Sequence, residues 1–321
     1  MADWLRILAD MRALVLGDII LDSFLKGTKT RQSPEADAPI LLHDSTTYVA
    51  GGAANVALNL HSLGWDVSLM GLIGKDEQGK RLSNVLATYK NLEVISFSDG
   101  RPTTHKQRIL VDGVYQMRVD VESTLAIELD VVEDILHRVE EEMKKELDIL
   151  VLQDYNKGLL TPDLIKGLSS LAKDARVDVV VDPKKDNFWL YKEVSFFKPN
   201  RKELAEANQI DVAALSNLDY LEEVMRNTRN KLQCDQLIVT LSEAGIAALD
   251  RNDTFHHQSA LSHSITDVCG AGDSVFAAAI DAMKNTLGVE EVLERCLLAG
   301  KSACAVQGTY VLRPEDLKPN P

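Results

Sequence analysis

Short apolar runs alternate with amphipathic stretches along the chain, the pattern of buried strands and crossover helices in a parallel sheet. Ala13 to Leu16, Val67 to Leu72, Ile149 to Leu152, Val177 to Val181 and Leu237 to Leu241 read as buried strands. Ala53 to Leu63 carries its apolar residues on helical spacing and stops at Gly64, as a helix with a C-terminal glycine does. Charged helical segments lie between the strands, notably Asp130 to Leu147 and Leu221 to Leu232. The expected fold class is α/β, a doubly wound and mostly parallel sheet flanked by helices.

Two segments break this pattern. Residues 23–49 read as mostly extended, and residues 106–121 as two alternating strands about an Asp112-Gly113 turn, a strong hairpin signal. Alternation with both faces partly polar predicts a small β-sheet lid built from segments near 23–49 and 101–121. No repeat, low-complexity tract or Gly/Ser linker interrupts the sequence, so one domain over 1–321 is expected.

Composition narrows the function. Hydrophobic residues at 45% and charged residues at 26% are globular values. With Lys+Arg 35 against Asp+Glu 49, the net charge of -14 argues against nonspecific nucleic-acid binding and against an anionic membrane surface. Cys234, Cys269, Cys296 and Cys304 show no C-x-x-C spacing and read as reduced thiols in a cytoplasmic protein. The opening Met1-Ala2-Asp3-Trp4-Leu5-Arg6 lacks a leader pattern, and no stretch reaches about 18 uninterrupted apolar residues.

Two P-loop likenesses fail on inspection. Gly74 to Arg81 has the glycine spacing and lysine, but Arg81 stands where a Mg²⁺-binding Ser or Thr is required; Gly300-Lys301-Ser302 has no leading glycine. Nor does the first strand run into G-x-G-x-x-G; it ends at Gly17-Asp18. The informative run is Asp267-Val268-Cys269-Gly270-Ala271-Gly272-Asp273-Ser274, followed by small apolar residues. It reads as a helix starting close against a sheet, whose free N–H groups attract phosphate. Asp273 in its first turn suits a base that strips a nucleophile for phosphoryl transfer; the alternative is a first-turn partner of the helix dipole. Asp18 and Asp22 follow the first strand at its carboxyl end, where paired carboxylates suit a polyhydroxylated ligand or, alternatively, an N-cap and a solvated acid. Gly51 and Gly52 let a ligand approach the backbone and Asn55 can bond a sugar, or the segment serves tight helix packing.

Gly51-Gly52-Ala53-Ala54-Asn55, then Lys198-Pro199-Asn200-Arg201-Lys202-Glu203, then Asp267 to Asp273, resemble in order the hallmark motifs of the ribokinase-like (PfkB) sugar kinases. The resemblance implies ATP as donor, Mg²⁺, a sugar acceptor and Asp273 as catalytic base, and leaves a monovalent cation open. It implies an anion hole from Gly270, Ala271 and Gly272, and Asn200 and Glu203 near the Mg²⁺, the latter through water. Thr240, Ser242 and Gly245 match the nucleotide-side loop. Val268 and Cys269 stand where the commoner pattern has Thr, and Cys269 has no nucleophilic task in this family's chemistry. It further implies pairing of two copies through the lid.

Within that family, the segments Lys26 to Ala36 with Ser33-Pro34-Glu35-Ala36, Arg101 to Arg108, and Asp154-Tyr155-Asn156-Lys157-Gly158 resemble D-glycero-β-D-manno-heptose 7-phosphate kinases. Asp37-Ala38-Pro39-Ile40 replaces the usual P-V-P-V. The implied reaction phosphorylates the anomeric hydroxyl of the heptose phosphate, ahead of ADP-heptose and lipopolysaccharide core synthesis. None of the seven histidines forms the H-x-G-H motif of the partner nucleotidyltransferase. Lys106 and Arg108, two apart on a lid strand, point to one face and with Lys157 can gather positive charge around a sugar phosphate; Arg31 is a weaker candidate. Solvated edge-strand charge is the plain alternative for the pair. Kinases for fructose, ribose or a hexose phosphate, and a non-catalytic sugar-binding regulator, are the rival readings.

Overall fold

The computed structural model describes residues 11–318 other than His263 and Thr286. The opening hexapeptide lies outside the described residues. One sheet has the order β13-β12-β11-β10-β9-β8-β1-β4-β5. Its parallel members are β1 (Arg12–Gly17), β4 (Asp66–Leu72), β5 (Glu93–Phe97), β8 (Ile149–Gln153), β9 (Asp178–Asp182), β10 (Phe196–Phe197) and β11 (Gln236–Thr240). β12 (Ile246–Leu249) and β13 (Phe255–Gln258) extend one edge antiparallel.

Strand alternation divides the core into two layers. Ala13 and Val15 pack with α1 (Ala53–Ser62), α2 (Glu77–Leu86), α7 (Ala271–Lys284) and α8 (Val289–Cys304). Leu14 and Leu16 pack on the other face with α3 (Leu129–Met143), α4 (Pro162–Ala175), α5 (Arg201–Asn208) and α6 (Leu218–Leu232). Both faces of β1 are thus buried, and each such Leu or Val contributes about 1.5–3 kcal/mol. The fold is a doubly wound, mostly parallel arrangement, as the periodicity predicts.

Boundaries differ from the sequence reading where caps intervene. α3 stops at Met143 rather than Leu147, because Glu146 takes a left-handed φ of 59° and turns the chain into β8. α6 begins three residues early, since the Asn217 side chain accepts the Tyr220 N–H.

A second sheet, β3-β2-β6-β7, stands over the carboxyl end of the first. It comprises β2 (Ile19–Gln32), β3 (Pro39–Gly52), β6 (His105–Val111) and β7 (Val114–Val121). Asp18 alone separates β1 from β2. Asp112 and Gly113 turn the hairpin with φ of 51° and 81°, as a type I′ turn requires. Arg108 faces Arg118 and Lys106 faces Asp120, so all four share one side; Met117 and Val119, opposite Ile109 and Gln107, share the other.

Candidate active site

Several strands of the larger sheet deliver polar residues at one edge, the position where open α/β sheets bind ligands. Asp18 follows β1, Gln153 ends β8 and Asp182 ends β9; Lys198 and Asn200 follow β10, and Thr240 ends β11. α1 and α7 start at the same edge.

Gly270, at φ 73°, opens α7 in a left-handed conformation, and a Cβ there would meet Asn55 Nδ2 at 2.7 Å. The loop before it is fixed by Asp267, whose carboxylate accepts the Cys269 and Gly308 N–H groups. Ala271 N–H turns back to Val268 O at 3.3 Å. Ala271 thus takes part in the preceding turn, while the amides of Gly272 and Asp273 are first-turn donors without intrahelical partners. Space around Gly272 is open.

Asp273 is 2% exposed. Its Oδ2 accepts from Asn55 Nδ2 at 3.0 Å, and its Oδ1 from Tyr155 Oη at 2.7 Å and Gln153 Nε2 at 3.2 Å. Burial pushes its carboxyl up to about 6; the bonds from Tyr155 and Asn55 and the charge of Lys198 pull down, while Asp182 pushes further up. A largely buried carboxyl titrating near neutrality suits proton transfer. The structure thus joins Asn55 to Asp273 and adds Gln153 and Tyr155, to which the motif reading gave no site role.

Asp18 and Asp22 are buried, so neither is an N-cap or a solvated acid. Asp18 Oδ2 accepts the Tyr155 and Lys157 N–H groups at 2.8 and 3.1 Å, and burial, with the Asp154 charge, raises its carboxyl to about 7. Asp22 forms an ion pair with Arg108; burial raises its carboxyl although Arg108 opposes the rise. The glycine pair also has a structural task. A Cβ on Gly51 would lie 2.0 Å from Asp22 Oδ2, and one on Gly52, at φ 59°, 2.3 Å from Asp18 O. These glycines make room for the chain's own aspartates.

Lys106 and Lys157 converge on one carboxylate, Glu122, at 3.0 and 2.8 Å, and Lys106 also meets Asp120. The basic residues are brought together, but with acidic partners rather than free. Arg31 is exposed far along β2. Ser33 to Ala36 lies at the lid tip, ten or more residues along β2 from Asp22, roughly 30 Å at the usual strand rise. That stretch does not reach Asp273 of the same chain.

Asn200 and Glu203 form a reciprocal capping box on α5, Asn200 Oδ1 accepting the Glu203 N–H and Glu203 Oε2 the Asn200 N–H. Glu203 also pairs with Lys184. Lys198 Nζ lies 3.0 Å from Asp182 Oδ2. Burial raises the Glu203 carboxyl and depresses the Lys184 ammonium, but Asp182 and Glu203 together carry Lys184 above its ordinary value. Thr240 bridges to Asn200, and Ser242 and Gly245 shape the following turn with φ of 57° and 100°. Among the described residues no three His, Cys, Asp or Glu side chains form a metal cage. Glu203 and Asp182, paired with Lys184 and Lys198 respectively, are the carboxylates that would hold a Mg²⁺ here through water and phosphate oxygens.

Burial pushes the Cys269 thiol up to about 12, which disfavours its thiolate. The four cysteines are free. The P-loop likenesses also resolve: Asp76 caps α2, taking the Gly79 N–H at 2.7 Å, and Gly300 to Ser302 lies inside α8. No helix among the described residues is long and apolar enough to cross a membrane.

An open α/β sheet with a β lid and a buried carboxylate at a helix N-terminus defines a class of phosphotransferases acting on alcohols. The model described as pfkB family carbohydrate kinase matches residues 12–316, and the chain belongs to that family. It is 33% identical over 311 residues to "Bifunctional protein HldE" of Hyphomonas neptunium, covering 97% of this chain and 63% of that protein. The Bradyrhizobium diazoefficiens protein of the same name is 34% identical, covering 95% and 62%. The chain thus spans under two thirds of these relatives. Phosphofructokinase-2 from Escherichia coli, crystallised with potassium, superposes with TM-score 0.77 at 21% identity over 96% of each chain. Arabidopsis thaliana ribokinase complexed with ribose and ATP gives 0.72 at 18%, over 96% of this chain and 97% of that one.

Proposed function

We propose that this carbohydrate kinase transfers the γ-phosphoryl of ATP to the anomeric hydroxyl of D-glycero-D-manno-heptose 7-phosphate. The observation that carries the reading is Asp273, buried at the start of α7 and bonded to Asn55, beneath a lid whose inner side bears Lys106 and Arg108. The relatives named HldE and the heptose-kinase segments support the choice of sugar.

Asp18, Asp22, Gly51, Gly52 and Asn55 form the sugar side, and Lys106, Arg108 and Lys157 receive its phosphate. Glu122 is the counterion that Lys106 and Lys157 release, while Arg108 is paired with Asp22. Asn200, Glu203, Thr240, Ser242 and Gly245 form the nucleotide side. Asp273 takes the proton of the anomeric hydroxyl; its oxygen bonds to the γ-phosphorus, and the bond from that phosphorus to ADP breaks, leaving the electron pair on ADP. The Gly272 and Asp273 amides stabilise the charge that spreads over the transferring oxygens. Bound Mg²⁺ supplies charge neutralisation on the nucleotide phosphates. The lid excludes water and so limits ATP hydrolysis. A second copy covers the outer lid face, where Met117 and Val119 are 55% and 46% exposed.

The test is ADP release across a sugar panel with wild type and Asp273→Asn. Heptose 7-phosphate should be turned over far faster than unphosphorylated hexoses, and the variant should lose about 10²–10⁴-fold in kcat with ATP affinity kept. Equal turnover of hexoses removes the heptose assignment; loss of ATP binding removes Asp273 as base.

A further inference from the structure

We infer that Tyr155 is a positioning residue for phosphoryl transfer: its phenol occupies Oδ1 of Asp273 and so assigns proton removal to Oδ2. The inference rests on Asp273 being the base. A carboxylate oxygen accepts about two hydrogen bonds. Oδ1 already accepts two, from Tyr155 Oη at 2.7 Å and Gln153 Nε2 at 3.2 Å. Oδ2 accepts one, from Asn55 Nδ2 at 3.0 Å. The lone pair left for an incoming alcohol is therefore on Oδ2.

Tyr155 is itself held in place. Its N–H donates to Asp18 Oδ2 at 2.8 Å, the Lys157 N–H donates to the same oxygen, and Lys184 Nζ stands 5.1 Å over its ring. Asp18, though buried at the sugar side, thereby fixes the loop that carries the phenol.

The bond has a second effect. Burial and the Asp273 charge raise the Tyr155 phenol well above its ordinary value, so it donates at every pH of interest. Donation to Asp273 opposes burial and favours the carboxylate. The other charges facing Asp273 are Asp182 from β9, Lys198 after β10, and Lys184. Asp22 of the lid faces the phenol itself. None of these is altered by removing the hydroxyl.

The test is Tyr155→Phe in the full chain, with kcat/KM for the sugar phosphate followed against pH and the Asp273 carboxyl titrated by ¹³C NMR, assigned with Asp273→Asn. A net hydrogen bond of ordinary strength predicts a loss about threefold larger at pH 6 than at pH 8, a higher Asp273 midpoint and an unchanged KM for ATP. An unmoved midpoint with equal loss at both pH values overturns the inference. A raised midpoint with a pH–rate curve like that of wild type keeps the Tyr155–Asp273 coupling and overturns Asp273 as the base.

Discussion

Asn55 Nδ2 donates to Asp273 Oδ2 at 3.0 Å across 218 residues of sequence, tying the first turn of α1 to the first turn of α7. Gly270 sits against the same amide. Gly270→Ala should therefore displace Asn55 and strain a left-handed backbone, costing about 1–2 kcal/mol of stability. Thermal unfolding and kcat should both fall; a variant with normal kcat would mean that this contact does not align Asp273.

Asp273 also links stability to pH. Its folded pKa of about 6 lies above the unfolded value of 3.8, so burying the ionised form costs stability; the cost is absent below the lower value and complete above the higher. Relative to wild type, Asp273→Asn should gain roughly 2 kcal/mol between pH 4 and pH 7, whatever its constant effect on packing. Denaturant unfolding at the two pH values checks this, and a difference that stays flat contradicts the raised pKa.

Lys106→Ala with Arg108→Ala should raise KM for the sugar phosphate about 10–100-fold while leaving KM for ATP near wild type. Glu122→Gln should act oppositely and lower that KM a few-fold, since the resident carboxylate competes for Lys106 and Lys157. If it raises KM instead, Glu122 orders the lysines rather than yielding them.

Met117→Glu with Val119→Glu on the outer lid face should shift a dimer toward monomers in sedimentation velocity. An unchanged sedimentation coefficient would place any pairing elsewhere.

The local signals are legible in the sequence itself. Gly51 to Asn55, Asp267 to Asp273 and the Asp112-Gly113 turn declare themselves within a few residues, because glycines and first-turn acids act on their own backbone. Gln153, Asp182 and Lys184 do not, and Tyr155 and Lys198 stand in segments that carry the resemblance without a role of their own, because only the parallel pairing of β1, β8, β9 and β10 brings these strand ends together. A usable signal existed: each follows or ends an apolar run, where a parallel sheet presents its ligand-binding edge. β10 is two residues long, too short for any periodicity, and β5, β12 and β13 likewise escaped the pattern. The glycine pair reads in the sequence as space for a ligand or as tight packing, and its immediate neighbours are Asp22 and Asp18.

Since one residue joins β1 to β2, the cover over the site is a direct prolongation of a strand buried on both faces rather than a tethered flap. Opening it must flex backbone, and the register shift between Lys26 and Gly27 interrupts the ladder where such a bend can fall. Flexure there would lift the distal half while the proximal half, with Asp22 and Gly51, keeps its alignment, so admission of a substrate need not disturb the chemistry below.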